Sequence, residues 1–150
     1  MRSSFLLVLA AVVAVAALSG CVQQPVPVAL FQMSTNSIQV KDNSTSDIVT
    51  VTVTKNDDSG TPMAFVVSLL SSNSDYVYPV AVTGAGARIT AVTTQPLRDK
   101  GASDTVQFKL FGRLPAGVQA ATFNVTASLY YNNSLVPDVA PLVLNAQVTQ

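Results

Sequence analysis

The chain has 150 residues, with eight basic and eight acidic side chains and a formal net charge of zero. Such a balance lacks the basic footprint of a nucleic-acid binder and the polybasic patch of an electrostatic membrane binder. Every acidic residue is Asp, His and Glu are absent, and a single cysteine excludes an intramolecular disulfide or a Cys/His metal centre.

The N-terminal segment has the three parts of an export signal: a positive Arg2, an uncharged apolar run over residues 5–18, and small residues at Ser19 and Gly20. As a helix that run would rise about 21 Å, short of the roughly 30 Å hydrocarbon core that a permanent span must cross. The run ends at Leu18-Ser19-Gly20-Cys21. In order and spacing these four residues resemble the lipobox of prokaryotic lipoproteins, a resemblance that covers residues 1–21. It implies that the Cys21 thiol takes up diacylglycerol and that cleavage then leaves Cys21 as the lipidated N-terminus. The lone thiol sits where an acyl acceptor is useful. Each buried methylene contributes about 0.8 kcal/mol, and two acyl chains anchor stably where one is marginal. The expected division is a signal peptide over 1–20, a lipidated tether over 21–28 and one domain over 29–150. The expected location is the extracytoplasmic side of the cell membrane, with membrane lipid as the partner at Cys21. In the tether, Pro25 and Pro27 favour an extended chain. From Cys21 to Leu30 its reach is at most about 30 Å.

Beyond the tether, Val, Thr, Ser, Ala and Asn dominate, which favours strands and turns. Residues 29–34 and 37–40 read as a broken first strand. Residues 47–55 alternate, with Val49, Val51 and Val53 on one face and Thr50, Thr52 and Thr54 on the other. A turn over 56–60 leads to a strand over 63–71 with Phe65, Val67 and Leu69 inward. Weaker strands over 76–83 and 88–94 flank a Gly-Ala-Gly loop. Residues 104–111 place Val106, Phe108 and Leu110 inward, and residues 121–131 do the same with Phe123, Val125, Ala127 and Leu129. A last strand over 142–148 presents Leu142, Leu144, Ala146 and Val148. About seven or eight strands between turns, with no amphipathic helix, predict an all-β fold, a β-sandwich.

An internal echo supports this. Residues 40–54 align without gaps to residues 97–111, matching Asp42 with Asp99, Ser46 with Ser103, Asp47 with Asp104 and Val49 with Val106. Two strands entered by the same polar bend present the same face. This pattern, followed by residues 114–134, resembles immunoglobulin-like modules of surface proteins, among them the cell-adhesion-related domain of bacteria and archaea and the domain associated with alpha-galactosidases. The resemblance spans residues 31–148. It implies that the two echoing strands are neighbours in one sheet, that residues 114–123 form the corner after the second of them, and that scaffolding or adhesion is the role. Phe123 stands where many relatives of the fold place a corner tyrosine.

No arrangement of nucleophile and base stands out without His or Glu. Asp57-Asp58 lies in a turn, where Asp favours local backbone bonding. Residues 56–60 offer oxygens but no spaced calcium-binding series, and Met33 and Met63 read as core residues rather than metal ligands. No catalytic residue, metal or cofactor is expected. Asn43, Asn124 and Asn132 each match the N-x-[ST] acceptor pattern and would carry glycans in a glycosylating prokaryote. Tyr76, Tyr78, Tyr130 and Tyr131 read as packing or as an aromatic contact surface, and Arg88, Arg98, Lys100 and Arg113 as a solvated rim. The expected function is a lipid-anchored, non-catalytic binding or structural module with an adhesion or accessory role at the cell surface, monomeric, with a protein or envelope partner. The alternative is a subunit of a surface filament or envelope layer that assembles by strand addition.

The anchor is tested at Cys21. Cys21→Ser should abolish incorporation of labelled fatty acid and either release the protein from the membrane fraction or leave an unprocessed precursor. Normal labelling and processing in that variant would contradict the anchor.

Overall fold

The computed structural model describes residues 28–84 and 86–150. Among them eleven strands form: β1 (Ala29–Met33), β2 (Ser37–Lys41), β3 (Ser44–Thr45), β4 (Val49–Lys55), β5 (Val66–Ser71), β6 (Val77–Val80), β7 (Ala91–Thr93), β8 (Ser103–Gly112), β9 (Ala120–Tyr131), β10 (Ser134–Leu135) and β11 (Leu142–Thr149). The first sheet runs β1-β4-β8, with β3 beside the end of β8 and β6 along its other edge. The second runs β2-β11-β9-β5-β7, with β10 folded back on β9. The inner faces of the two sheets share one core, giving an immunoglobulin-like β-sandwich.

The strands outnumber the expected seven or eight because three stretches are interrupted. The broken first strand changes sheet: β1 pairs antiparallel with β4, whereas β2 pairs parallel with β11. Between β3 and β4 the register against β8 slips by one, since Thr45 faces Phe111 but Val49 faces Phe108. This is a β-bulge, and the buried Ser46 stabilises it by accepting the Leu110 N–H at 2.9 Å and donating to the Asp47 carbonyl at 2.7 Å. The third interruption is a two-residue hairpin. Asn132 (φ 49°) and Asn133 (φ 61°) take the left-handed conformation that a type I′ turn requires.

The alternation read from sequence sets the core. Val49, Val51 and Val53 of β4, and Val106, Phe108 and Leu110 of β8, are buried; β4 and β8 are antiparallel neighbours, as the immunoglobulin-like resemblance implies. Facing them are Phe65, Val67, Val125, Ala127, Leu129, Leu144, Ala146 and Val148. Phe123 and Leu142 are only half-buried, because each lies toward an end of its strand. Gly112 leaves no room for a side chain between the sheets: a Cβ there would sit 2.7 Å from Val40 Cγ1 and 3.1 Å from Val148 Cγ2.

The polar bends of the echo do different work. Asp42 Oδ1 accepts the Leu114 N–H at 2.7 Å and so ties the corner after β8, while Asp104 Oδ2 accepts the Gln95 N–H at 2.7 Å. Phe123, at the expected corner position, stacks on Tyr76 with ring centroids 5.9 Å apart.

The weak pair over 76–83 and 88–94 forms two short arms that belong to different sheets. β6 pairs with β8 and β7 with β5, and the arms touch at a bridge between Val80 and Arg88. Pro79 has no N–H to give on the side where its carbonyl accepts from Ile89, which keeps β6 at an edge.

The registers fix two ends. The start of β1, the loops around residues 56–62 and 95–102, and the β9–β10 hairpin gather at one end, where the described chain begins and to which the expected tether would lead. The bend at Asp42-Asn43, the segment before β6, the corner after β8 and the C-terminal Gln150 gather at the other. At the tether end, Lys55 continues the inward parity of Val49, Val51 and Val53, and its side chain is 0% exposed. Its ammonium donates to the Asp57 carbonyl at 2.8 Å and lies 3.4 Å from Asp57 Oδ2. A buried charge needs such partners. Val28 is also held here, its carbonyl accepting the Asn56 N–H at 2.8 Å.

Phe108→Ala should cost about 3–5 kcal/mol of unfolding free energy through loss of a buried aromatic. Thr105→Ala, on the exposed face of the same strand, should stay within about 1 kcal/mol. Comparable costs in urea titrations would contradict the assigned facing. Asp57 supplies a pH test. The Ser59 hydroxyl and N–H, with Lys55 beside them, hold its carboxyl below the ordinary carboxylate pKa, against a smaller opposing effect of burial. A depressed folded value means that the stabilisation is present above the unfolded pKa of about 3.9 and is lost as pH falls through the folded value. Asp57→Asn should therefore lower stability at neutral pH and flatten its decline below about pH 4; an unchanged acid limb would contradict the role given to Asp57.

Candidate ligand-binding groove

The expected modification positions do not converge. Cys21 lies outside the described residues. Asn43 is exposed at the far end, in a left-handed turn with φ 55°, where its amide donates to Asp42 Oδ2 at 3.1 Å. Asn124 is exposed on the outer face of the second sheet, opposite Asn145. Asn132 opens the hairpin at the tether end.

The four tyrosines also separate. Tyr131 packs on the core residue Phe65, with centroids 5.7 Å apart. Tyr130 points outward from β9. Tyr76 stacks on Phe123, and Tyr78 stacks on its register partner Phe111 at 5.1 Å. Two members of the solvated rim lie over these rings: the Arg88 guanidinium is 4.9 Å from the Tyr78 centroid and that of Arg113 is 5.9 Å from Tyr76. Of the other two, Lys100 reaches Asp58 at 3.0 Å and Arg98 is exposed.

Arg88 and Arg113 border a polar pocket of about 290 Å³, with Asn43, Ser74, Asp75, Tyr78 and Phe111 as the remaining lining. Arg113 is steadied by donating from Nη2 to the Asp75 carbonyl at 3.2 Å. Cation–π contact and this bond restrict both guanidiniums and lower the entropy cost of engaging a ligand. Neither arginine takes part in an ion pair among the described residues; the two pairs there are Lys55–Asp57 and Lys100–Asp58.

The pocket does not stand alone. Ser74, Tyr78 and Arg88 are shared with a depression of about 150 Å³ that also touches Leu69, Leu70 and Ile89. Leu69, Leu70 and Thr90 in turn border an apolar depression of about 420 Å³ reaching Val66, Tyr130 and Asn133. Together they make one groove along the seam between the β6 edge of the first sheet and the β5–β7 edge of the second. The seam is open because β7 pairs only as far as Ser68 and the Leu69 N–H then donates to the Thr90 carbonyl at 2.8 Å, so that Leu70 and Ser71 run past it. Leu70, at 71% exposure, stands in the middle.

Sequence spacing does not reveal this site. Arg88, Arg113, Tyr78 and Asn43 come from four separated segments joined by the β6–β8 and β3–β8 registers and the Val80–Arg88 bridge. The Tyr76/Tyr78 alternation is the only local signal. Among the described residues no group of three or more His, Cys, Asp or Glu is placed to hold a metal ion.

No family model matches the sequence, and none of the curated proteins matches it. Solved structures do resemble its fold. The periplasmic chaperone SfaE aligns with 80% of this chain and 57% of its own, at a TM-score of 0.50 and 8% identity. The alpha-2-macroglobulin of E. coli, in its native conformation, aligns with 81% of this chain and 6% of its own, at a TM-score of 0.51 and 15% identity. The CARDB domain of a Pyrococcus furiosus protein, in complex with di-metal ions, aligns with 83% and 97%, at a TM-score of 0.48 and 15% identity. The chain thus spans little more than half of the chaperone and a small part of the macroglobulin. At such identities the first two likenesses concern the fold alone, a sandwich of immunoglobulin-like type.

Proposed function

We propose that the protein is a non-catalytic binding module, anchored through lipid at Cys21 on the extracytoplasmic side of the membrane, with the seam groove as its contact site. The observation that carries this reading is the completeness of the sandwich. β11 lies within its own sheet, paired along its length with β9 and, on its other side, with β2. A filament subunit built by strand addition would need an empty place for a neighbour's strand, and this one is filled from within.

The anchor gives the domain a direction. A tether of at most about 30 Å enters at Val28, so the loops of that end face the membrane and the arginine pocket faces away from it. The groove runs between the two ends, open to a partner approaching from outside. Glycans at Asn43, Asn124 and Asn132, where the source attaches them, would cover both ends and the outer face of the second sheet, and the one on Asn43 would crowd the arginine pocket.

The test is the mass of soluble residues 22–150 against concentration in sedimentation. A complete module should remain one species, because β1 and β2 of the same chain already cover the edges of β4 and β11. Concentration-dependent polymers would overturn this reading in favour of the filament subunit.

A further inference from the structure

We propose that the groove takes an extended peptide segment of a partner protein, with an acidic side chain in the Arg88/Arg113 pocket and apolar side chains along Leu69, Leu70 and Ile89. This rests on the reading of the domain as a binding module and names the partner chemistry of the same site.

Charge decides one end. Two arginines against one acidic residue, Asp75, leave the lining one positive charge in excess. A carboxylate side chain balances it and matches the planar guanidinium fork. A phosphate, carrying close to two charges, would exceed that single excess charge. Both arginines are already restrained on tyrosine rings, and they lack a carboxylate partner within the described residues. An incoming acid therefore completes a pair without breaking one.

The apolar lining decides the rest. Beyond Arg88 the groove is walled by Leu69, Leu70 and Ile89 and then by Val66, Ala91 and Tyr130. Aliphatic side chains would cover the exposed Leu70, which a hydroxyl-rich saccharide would not. The groove follows β5, six residues long, which at about 3.3 Å per residue is roughly 20 Å. That length suits five or six residues of extended chain lying beside the short edge strand β7.

The full chain in lipid nanodiscs can be used to select from a phage-displayed random-peptide library. Selected peptides should pair Asp or Glu with Val, Ile or Leu. A synthetic copy of the strongest should lose about tenfold or more in affinity, the order seen when one side of a charge pair is removed, toward the Arg88→Gln/Arg113→Gln double variant. It should weaken similarly toward Leu70→Asp and be unchanged toward Arg98→Gln, whose guanidinium is exposed outside the groove. Replacing the peptide's acid by its amide should give the same loss, with little further loss on the double variant. Unfolding midpoints of the three variants, matched to the parent, separate lost binding from lost fold. Peptides without an acid, or indifferent to Arg88 and Arg113, would overturn this site and leave the binding-module reading standing. Arginine-dependent binding of polygalacturonate in place of peptides would overturn the peptide assignment. Selection of no peptide, together with polymers in sedimentation, would remove both.

Discussion

The sandwich depends on a change of sheet made within three residues. β1 ends at Met33 against β4, and β2 begins at Ser37 against β11. The crossing is fixed by the Ser34 N–H donating to the Thr50 carbonyl at 2.8 Å, by the Thr35 hydroxyl donating to the Ser37 carbonyl at 2.7 Å, and by the Asn145 N–H donating to the Asn36 carbonyl at 2.9 Å. One length of chain thereby covers the same side of both sheets, satisfying the outer edges of β4 and β11 that would otherwise invite pairing with another molecule. The Val40 side chain, delivered by β2, then meets Gly112 of β8 and helps close the core at the far end.

The opposite side is built differently. There β6 and β7 are short, belong to different sheets and, among the described residues, are linked by a single bridge between their arms. A sandwich sealed by a continuous strand on one side and by a wrapped loop on the other has one tight seam and one open seam. The tight seam makes the fold self-sufficient. The open seam leaves Leu70 exposed and brings Arg88 and Arg113 onto their tyrosines, because residues that do not complete a sheet are free to shape a groove.

This division also explains what the sequence discloses. Period-two alternation reports burial against a facing sheet, so β4, β8, β9 and β11 are readable from Val49 to Val53, Val106 to Leu110, Val125 to Leu129 and Leu144 to Val148. The echo between residues 40–54 and 97–111 marks two strands with the same inward face, and the immunoglobulin-like resemblance makes them neighbours. Lys55 breaks the expectation for charge although its parity points inward, because the neighbouring Asp57 satisfies its ammonium locally. The change of sheet between β1 and β2 is legible only as a break, since alternation does not say which sheet a strand joins. The open seam carries little periodicity at all. Its site is a product of register, and Tyr78 meets Phe111 only because β6 pairs with the end of β8. The expected tether and the expected lipidation at Cys21 have the opposite character: what suggests them lies wholly in local order and spacing.

The central claim is that this chain fills its own sandwich, with β11 held between β9 and β2 of the same molecule. Amide hydrogen exchange followed across a dilution series tests it most directly. The account predicts that β11 amides exchange as slowly as those of β8 and β9, and that their protection does not change with protein concentration. Protection of β11 or β2 that falls away on dilution while β8 stays protected would mean that a neighbouring copy supplies the strand, and would contradict it.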